Sequence, residues 1–127
     1  MSILTKWHDE TTGIISSEME GNISSDDLRM ALNNTYQQIV AATKRVDVLI
    51  DMGASRMPGN FLSILANFIN QAPNNFGIIV FIGDNTYINS LIMTLWRIYP
   101  FESKRVTVAA SIEAAITVII DNREMHV

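Results

Sequence analysis

Apolar and polar positions along this chain recur with two different periods, and the switches between them divide it into alternating strands and helices. Leu4 to Asp9 and Gly13 to Glu20 predict two strands joined across Glu10-Thr11-Thr12-Gly13, where threonine and glycine supply turn chemistry, so the chain opens on an antiparallel hairpin. A regular register sends Ile14, Ser16 and Glu18 to one face and Ile15, Ser17 and Met19 to the other, a weakly amphipathic strand. Gly21-Asn22-Ile23 breaks it. Ser24 or Ser25 can then accept from free helix amides, with Asp26 and Asp27 well placed against the positive end of the dipole. The first helix carries an apolar stripe of Leu28, Ala31, Leu32, Ile39 and Ala42, with Asn33, Asn34, Gln37 and Gln38 opposite and Tyr36 at the margin.

Val46 to Met52 is a short apolar run holding Asp47 and Asp51, and it opens into Gly53-Ala54-Ser55-Arg56-Met57-Pro58-Gly59-Asn60 before helical spacing begins at Phe61. That succession predicts a buried parallel strand, a loop and a helix. The second helix has its stripe at Phe61, Leu62, Ile64, Leu65, Phe68 and Ile69 and stops at Ala72, because Pro73 disfavours helix in the residue before it. Phe76 to Gly83 reads as another buried strand. A third helix is expected from Thr86 to Tyr99, with Ile88, Leu91, Ile92, Leu95 and Ile98 inward and Pro100 ending it. Arg105 to Ala109 supplies a further strand. Ser111 caps a last helix whose core stripe is Ile112, Ala115, Ile116, Ile119 and Ile120, before a polar tail Asp121-Asn122-Arg123-Glu124. With short connections suited to right-handed crossovers, the expected architecture is a single α/β domain over residues 1–127: one mostly parallel sheet of about five strands with an N-terminal antiparallel hairpin and four helices.

Composition narrows the function. The 127 residues are 48% hydrophobic and 17% charged, an ordinary packed globule. A formal net charge of -4, with no basic run longer than Lys44-Arg45 or Lys104-Arg105, argues against a nucleic-acid partner. The absence of cysteine removes disulfides, thiolate metal sites and thiol nucleophiles. His8 and His126 lack the paired spacing of a metal site, so neither a metal nor a cofactor is expected. No signal core is present, and the apolar run Ile78 to Ile82 is far below the roughly 20 residues of a membrane span. The chain reads as soluble and cytoplasmic. No Gly-x-Ser-x-Gly elbow occurs, and Gly83-Asp84-Asn85-Thr86 has one glycine and no phosphate-binding lysine, so it reads as a helix cap before it reads as an anion site.

The element order, the Gly-Asn-Ile-Ser-Ser-Asp-Asp-Leu transition at Gly21 to Leu28, Val48-Leu49-Ile50-Asp51 ahead of the second helix, and Ala109-Ala110-Ser111-Ile112-Glu113-Ala114-Ala115 together resemble the STAS family of anti-sigma-factor antagonists. The resemblance implies a non-catalytic module that regulates by docking onto partners. Many members carry a phosphorylatable serine at the start of the helix after the third strand, in an Asp-Ser-Ser-Gly-like motif. The corresponding stretch here reads Arg56-Met57-Pro58-Gly59-Asn60-Phe61, without a serine in the matching place; Ser55 and Ser63 are the nearby hydroxyls and the candidate phosphorylation positions.

In open α/β sheets, loops leaving the carboxyl ends of strands meet ligands and partners most often, which makes Asp51, Ser55, Arg56 and Asn60 the candidate partner-binding residues. Asp51 has two readings, a carboxylate that holds its own loop or a functional group. The second connects with a further resemblance: Asp47 to Met52 followed by Met57-Pro58-Gly59 looks like the phosphoacceptor strand of response-regulator receivers, which would make the chain a phosphoprotein using Asp51. The extra carboxylates and the lysine that such chemistry needs are not at the matching strand ends. Architectural likeness to lipid-binding CRAL-TRIO domains supplies a third reading, a carrier of a small apolar ligand held between the helices Phe61 to Ile69 and Ile88 to Ile98. Finally, Met93 and Trp96 lie one turn apart off the inward stripe of the third helix, and Tyr99 and Phe101 could extend them into an interface for a partner or a second copy; alternatively the helix is buried on two sides.

Overall fold

The computed structural model describes residues 2–83 and 86–125. In chain order the elements are β1 (Ser2–Asp9), β2 (Ile14–Glu20), α1 (Ser25–Ala41), β3 (Val46–Asp51), α2 (Phe61–Gln71), β4 (Phe76–Ile82), α3 (Thr86–Ile98), a 3₁₀ turn (Glu102–Arg105), β5 (Val106–Ala109) and α4 (Ile112–Met125). The five strands form one sheet in the order β1-β2-β3-β4-β5, antiparallel between β1 and β2 and parallel elsewhere. This is the expected hairpin followed by βα units.

Because the parallel strands follow one another across the sheet in chain order, right-handed crossovers put their connecting helices on the same face. Leu28 and Ile39 of α1, Leu65 and Phe68 of α2 and Ile88 and Leu95 of α3 accordingly share one core with Ile15, Val48, Ile79 and Phe81. Among the described residues α4 alone covers the other face, where Ala115 and Ile119 pack on Ile14, Leu49, Val80 and Ile82. Ser24 caps α1, its hydroxyl accepting from the Asp27 amide at 3.1 Å. Thr35 belongs to the buried stripe of α1 although its hydroxyl is polar, since Oγ1 donates to the Ala31 carbonyl of its own helix at 3.0 Å.

Several expected core positions lie outside the core. Ile98, Ile112 and Ile120 are exposed. Periodicity locates the apolar side of a helix but not the width of what covers it: α4 lies alone on its face, so the narrow stripe of Ala115 and Ile119 is what the sheet buries. The polar tail is also helical, with α4 running through Asp121 to Glu124 as far as Met125. The proposed cap residues Asp84 and Asn85, and His126, lie outside the described residues.

The tail is helical because it is anchored. Asp47, 0% exposed at the start of β3, accepts from Arg45 Nη2 at 2.9 Å and from Arg123 Nε at 2.7 Å. Its Oδ1 also accepts from the Ile78 backbone N–H at 2.8 Å, where the β3–β4 register slips by a residue. Arg45 Nη2 reaches Asn122 Oδ1 at 2.7 Å, and Arg123 donates to the carbonyl oxygens of Thr12 at 2.6 Å and Gly13 at 3.2 Å. One buried carboxylate thus fastens α4 to the hairpin turn and to the central strands. Gly13 is required in that turn: its φ is +73°, and a Cβ there would collide with the Arg45 carbonyl oxygen. No helix among the described residues is long and apolar enough to cross a membrane.

Candidate functional site

At the opposite ends of the strands, the loop between β3 and α2 is built by a sequence of short-range bonds. Asp51 closes β3 and its Oδ1 accepts from the Gly53 amide at 3.0 Å, an Asx-type turn made easier by the positive φ of Gly53. Met52 is buried, and the Ser55 amide donates back to its carbonyl at 2.8 Å. Arg56 then runs beside the turn that precedes α1: its amide donates to the Gly21 carbonyl at 2.9 Å and its carbonyl accepts from Ile23 at 2.8 Å.

Two side-chain contacts complete the fastening. The Tyr87 hydroxyl on the first turn of α3 accepts from the Met57 amide at 2.8 Å, and the Arg56 guanidinium lies 4.4 Å from the centre of the same ring. Asn60 Oδ1 accepts from Ser25 Oγ at 2.7 Å. The loop is therefore tied to α1, to the turn before it and to α3, and it leaves Gly53, Ala54, Arg56, Gly59 and Asn60 exposed. Tyr87→Phe removes the acceptor for Met57 N–H and is expected to lower stability by about 1 kcal/mol. Hydrogen exchange at Met57 should quicken while the β4 amides keep their protection.

Of the residues singled out from sequence, Asp51, Arg56 and Asn60 fall together on this edge. Ser55 lies beneath them, 4% exposed, its Oγ without a partner among the described residues. Ser63 is exposed on the first turn of α2. In the β2–β3 register Asp51 stands beside Glu18, and among the described residues no three His, Cys, Asp or Glu side chains gather to hold a metal ion. Tyr87 was missed because it precedes the apolar stripe of α3 by one position, and nothing in its local pattern signals a bond to a loop 30 residues earlier.

Two further surfaces are formed. A groove of about 500 Å³ lies between α1 and α2, lined by Arg29, Leu32, Tyr36, Asn67, Phe68 and Tyr99 among others. It is not the opening between α2 and α3 expected for a carrier: Tyr99, just past α3, is the one residue of that region in its lining, and amide side chains share the lining with the apolar ones. Met93 and Trp96 are exposed on α3, as is Phe101 beyond it, whereas Tyr99 packs inward against the main core.

The sheet order, the three helices on one face and the loop geometry define an α/β domain with the STAS-like fold. Among solved structures the chain is similar to an anti-sigma factor antagonist from Mycobacterium paratuberculosis, with a TM-score of 0.58 and 20% identity, over 92% of this chain and 93% of that one. No family model and no curated protein matches the sequence.

Proposed function

We propose that this chain is a non-catalytic regulatory module that docks onto a protein partner through the loop after β3, with Asp51, Arg56 and Asn60 at the contact and Ser55 packed beneath. The observation that carries this reading is the three-way fastening of the loop to Ser25, to Gly21–Ile23 and to Tyr87. A surface held in one conformation loses little entropy on binding, and the exposed groups it offers are suited to contact and hydrogen bonding. The shared fold with an anti-sigma factor antagonist agrees with that role. Of the two candidate hydroxyls, Ser63 is open to a kinase, and a phosphate there would sit on the favourable end of the α2 dipole. The crest at Met93, Trp96 and Phe101 is a second contact surface of the module.

The test is retention of whatever partner copurifies with the protein from its own source. Arg56→Glu combined with Asn60→Lys should reduce retention about tenfold or more, as expected when charge is altered within a docked surface, while the far-UV circular dichroism stays native and the unfolding midpoint falls only by what the Ser25–Asn60 and Arg56–Tyr87 contacts contribute. Full retention by this variant, alongside a control at the exposed Glu113 of α4, would reject the loop as the contact. A stoichiometric small molecule in the native mass spectrum, in place of a protein, would instead assign function to the α1–α2 groove as a carrier.

A further inference from the structure

Four large apolar side chains are exposed where α3 ends: Met93 is 65% exposed, Trp96 51%, Ile98 56% and Phe101 74%. Met93 and Trp96 are one helical turn apart, and Arg97 follows Met93 by four residues along the same outer side. Past Ile98 the chain makes a further turn in the same sense, since the Tyr99 amide donates to the Leu95 carbonyl at 2.8 Å and the Ser103 amide to the Tyr99 carbonyl at 3.0 Å, and Phe101 follows Arg97 by four residues, the spacing of one such turn. Lys104 Nζ lies 5.7 Å from the centre of the Phe101 ring. The carboxylate in this stretch, Glu102, is turned away to accept from Asn70 Nδ2 at 2.7 Å. Arg97 and Lys104 form no ion pair among the described residues.

An apolar crest flanked by unpaired cations is unusual on a chain with a formal net charge of -4. We propose that this crest is a reversible membrane-docking site, which sets Met93, Trp96 and Phe101 among the headgroups of an anionic bilayer and places Arg97 and Lys104 against the lipid phosphates. The proposal names the occupant of the second contact surface and does not depend on the loop at 51–60.

Shape and charge select the bilayer over the other occupants. Met93, Trp96 and Phe101 are exposed at and just beyond the end of α3, and none of them lines the α1–α2 groove. A partner helix seeks a groove, whereas a lipid interface receives a convex apolar crest with a basic margin. Tryptophan beside cations is the composition that interfaces favour. A second copy is disfavoured because a two-fold axis through the crest would gather Arg97 and Lys104 of both chains around one small apolar patch.

The experiment uses the full chain carrying Trp7→Phe, which leaves Trp96 as the tryptophan that reports. Titration with phosphatidylcholine vesicles containing one quarter phosphatidylserine should shift Trp96 emission to the blue and bring the protein down with the vesicles, and pure phosphatidylcholine should do so far less. Arg97→Gln and Lys104→Gln should each weaken partitioning about fivefold. Phe101→Ser should weaken it about tenfold. Phe101 is so exposed that circular dichroism should not change.

Absence of a shift and of cosedimentation with anionic vesicles at low salt overturns the assignment. So does binding that survives Phe101→Ser undiminished. A Trp96 shift that tracks protein concentration without lipid gives the crest to a second copy, and protection of Trp96 from acrylamide by the partner retained at the loop gives it to that partner; both outcomes also overturn the proposal. Loss of the loop partner through Arg56→Glu leaves the vesicle result untouched, so the two readings fail separately.

Discussion

Asp47→Ala should lower the unfolding free energy by about 3 kcal/mol, read from the urea midpoint with the slope unchanged. The carboxylate is fully buried and is the common acceptor of Arg45, Arg123 and the Ile78 amide. Removing it does not strand two buried cations, because both arginine side chains keep partial exposure and can take up water. That places the loss at the lower end of the range of about 3–5 kcal/mol for a broken buried pair. What water cannot replace is the acceptor for Ile78 N–H in the interior of the sheet. Asp47→Asn retains such an acceptor and is therefore expected to cost about half as much. Equal losses for the two variants would show that charge, and not the bond to Ile78, is what the site contributes.

Gly77→Ala should be comparably damaging although it deletes nothing. A Cβ at Gly77 would occupy the space of the Asp47 carboxylate and the Arg45 guanidinium. The flexible arginine could move aside, but Asp47 is held from three directions and cannot. The expected loss is about 2–3 kcal/mol, typical of overpacking. Because the substitution acts by displacing the same carboxylate, the double variant Asp47→Ala with Gly77→Ala should lose clearly less than the sum of the single losses. Additive losses in that cycle would mean that Gly77 serves strand pairing independently of the clamp. Fraying of α4, seen as faster exchange near Asn122, should accompany both single variants, since the helix end is tied through Arg123 and Arg45.

Hydrophobic period and turn chemistry made most elements legible. The hairpin, the buried run at Val46 to Asp51, the helix start at Phe61 and the stop before Pro73 are local events, each decided by a few neighbouring side chains and backbone preferences. The candidate loop was legible for the same reason, as a polar segment after a buried parallel strand. Tyr87, which fastens that loop, was not, because its bond joins residues from different connections. The exposure of Ile98, Ile112 and Ile120 was equally out of reach, since an apolar residue at helical spacing looks the same whether or not a neighbour covers it.

By itself, then, the sequence determined the order and type of the elements, the parallel sheet with its opening hairpin, and the loop after the third strand that carries Asp51, Arg56 and Asn60, because these follow from local periodicity and from the handedness of short crossovers. Tertiary structure alone decided why a carboxylate can sit inside an apolar strand and how the last helix is held. Asp47 and Arg123 are 76 positions apart, and a buried charge is tolerated only where folding brings its partners to it. The same holds for the crest at Trp96 and Phe101: the residues are written in the chain, but their exposure depends on which surfaces the other helices leave uncovered.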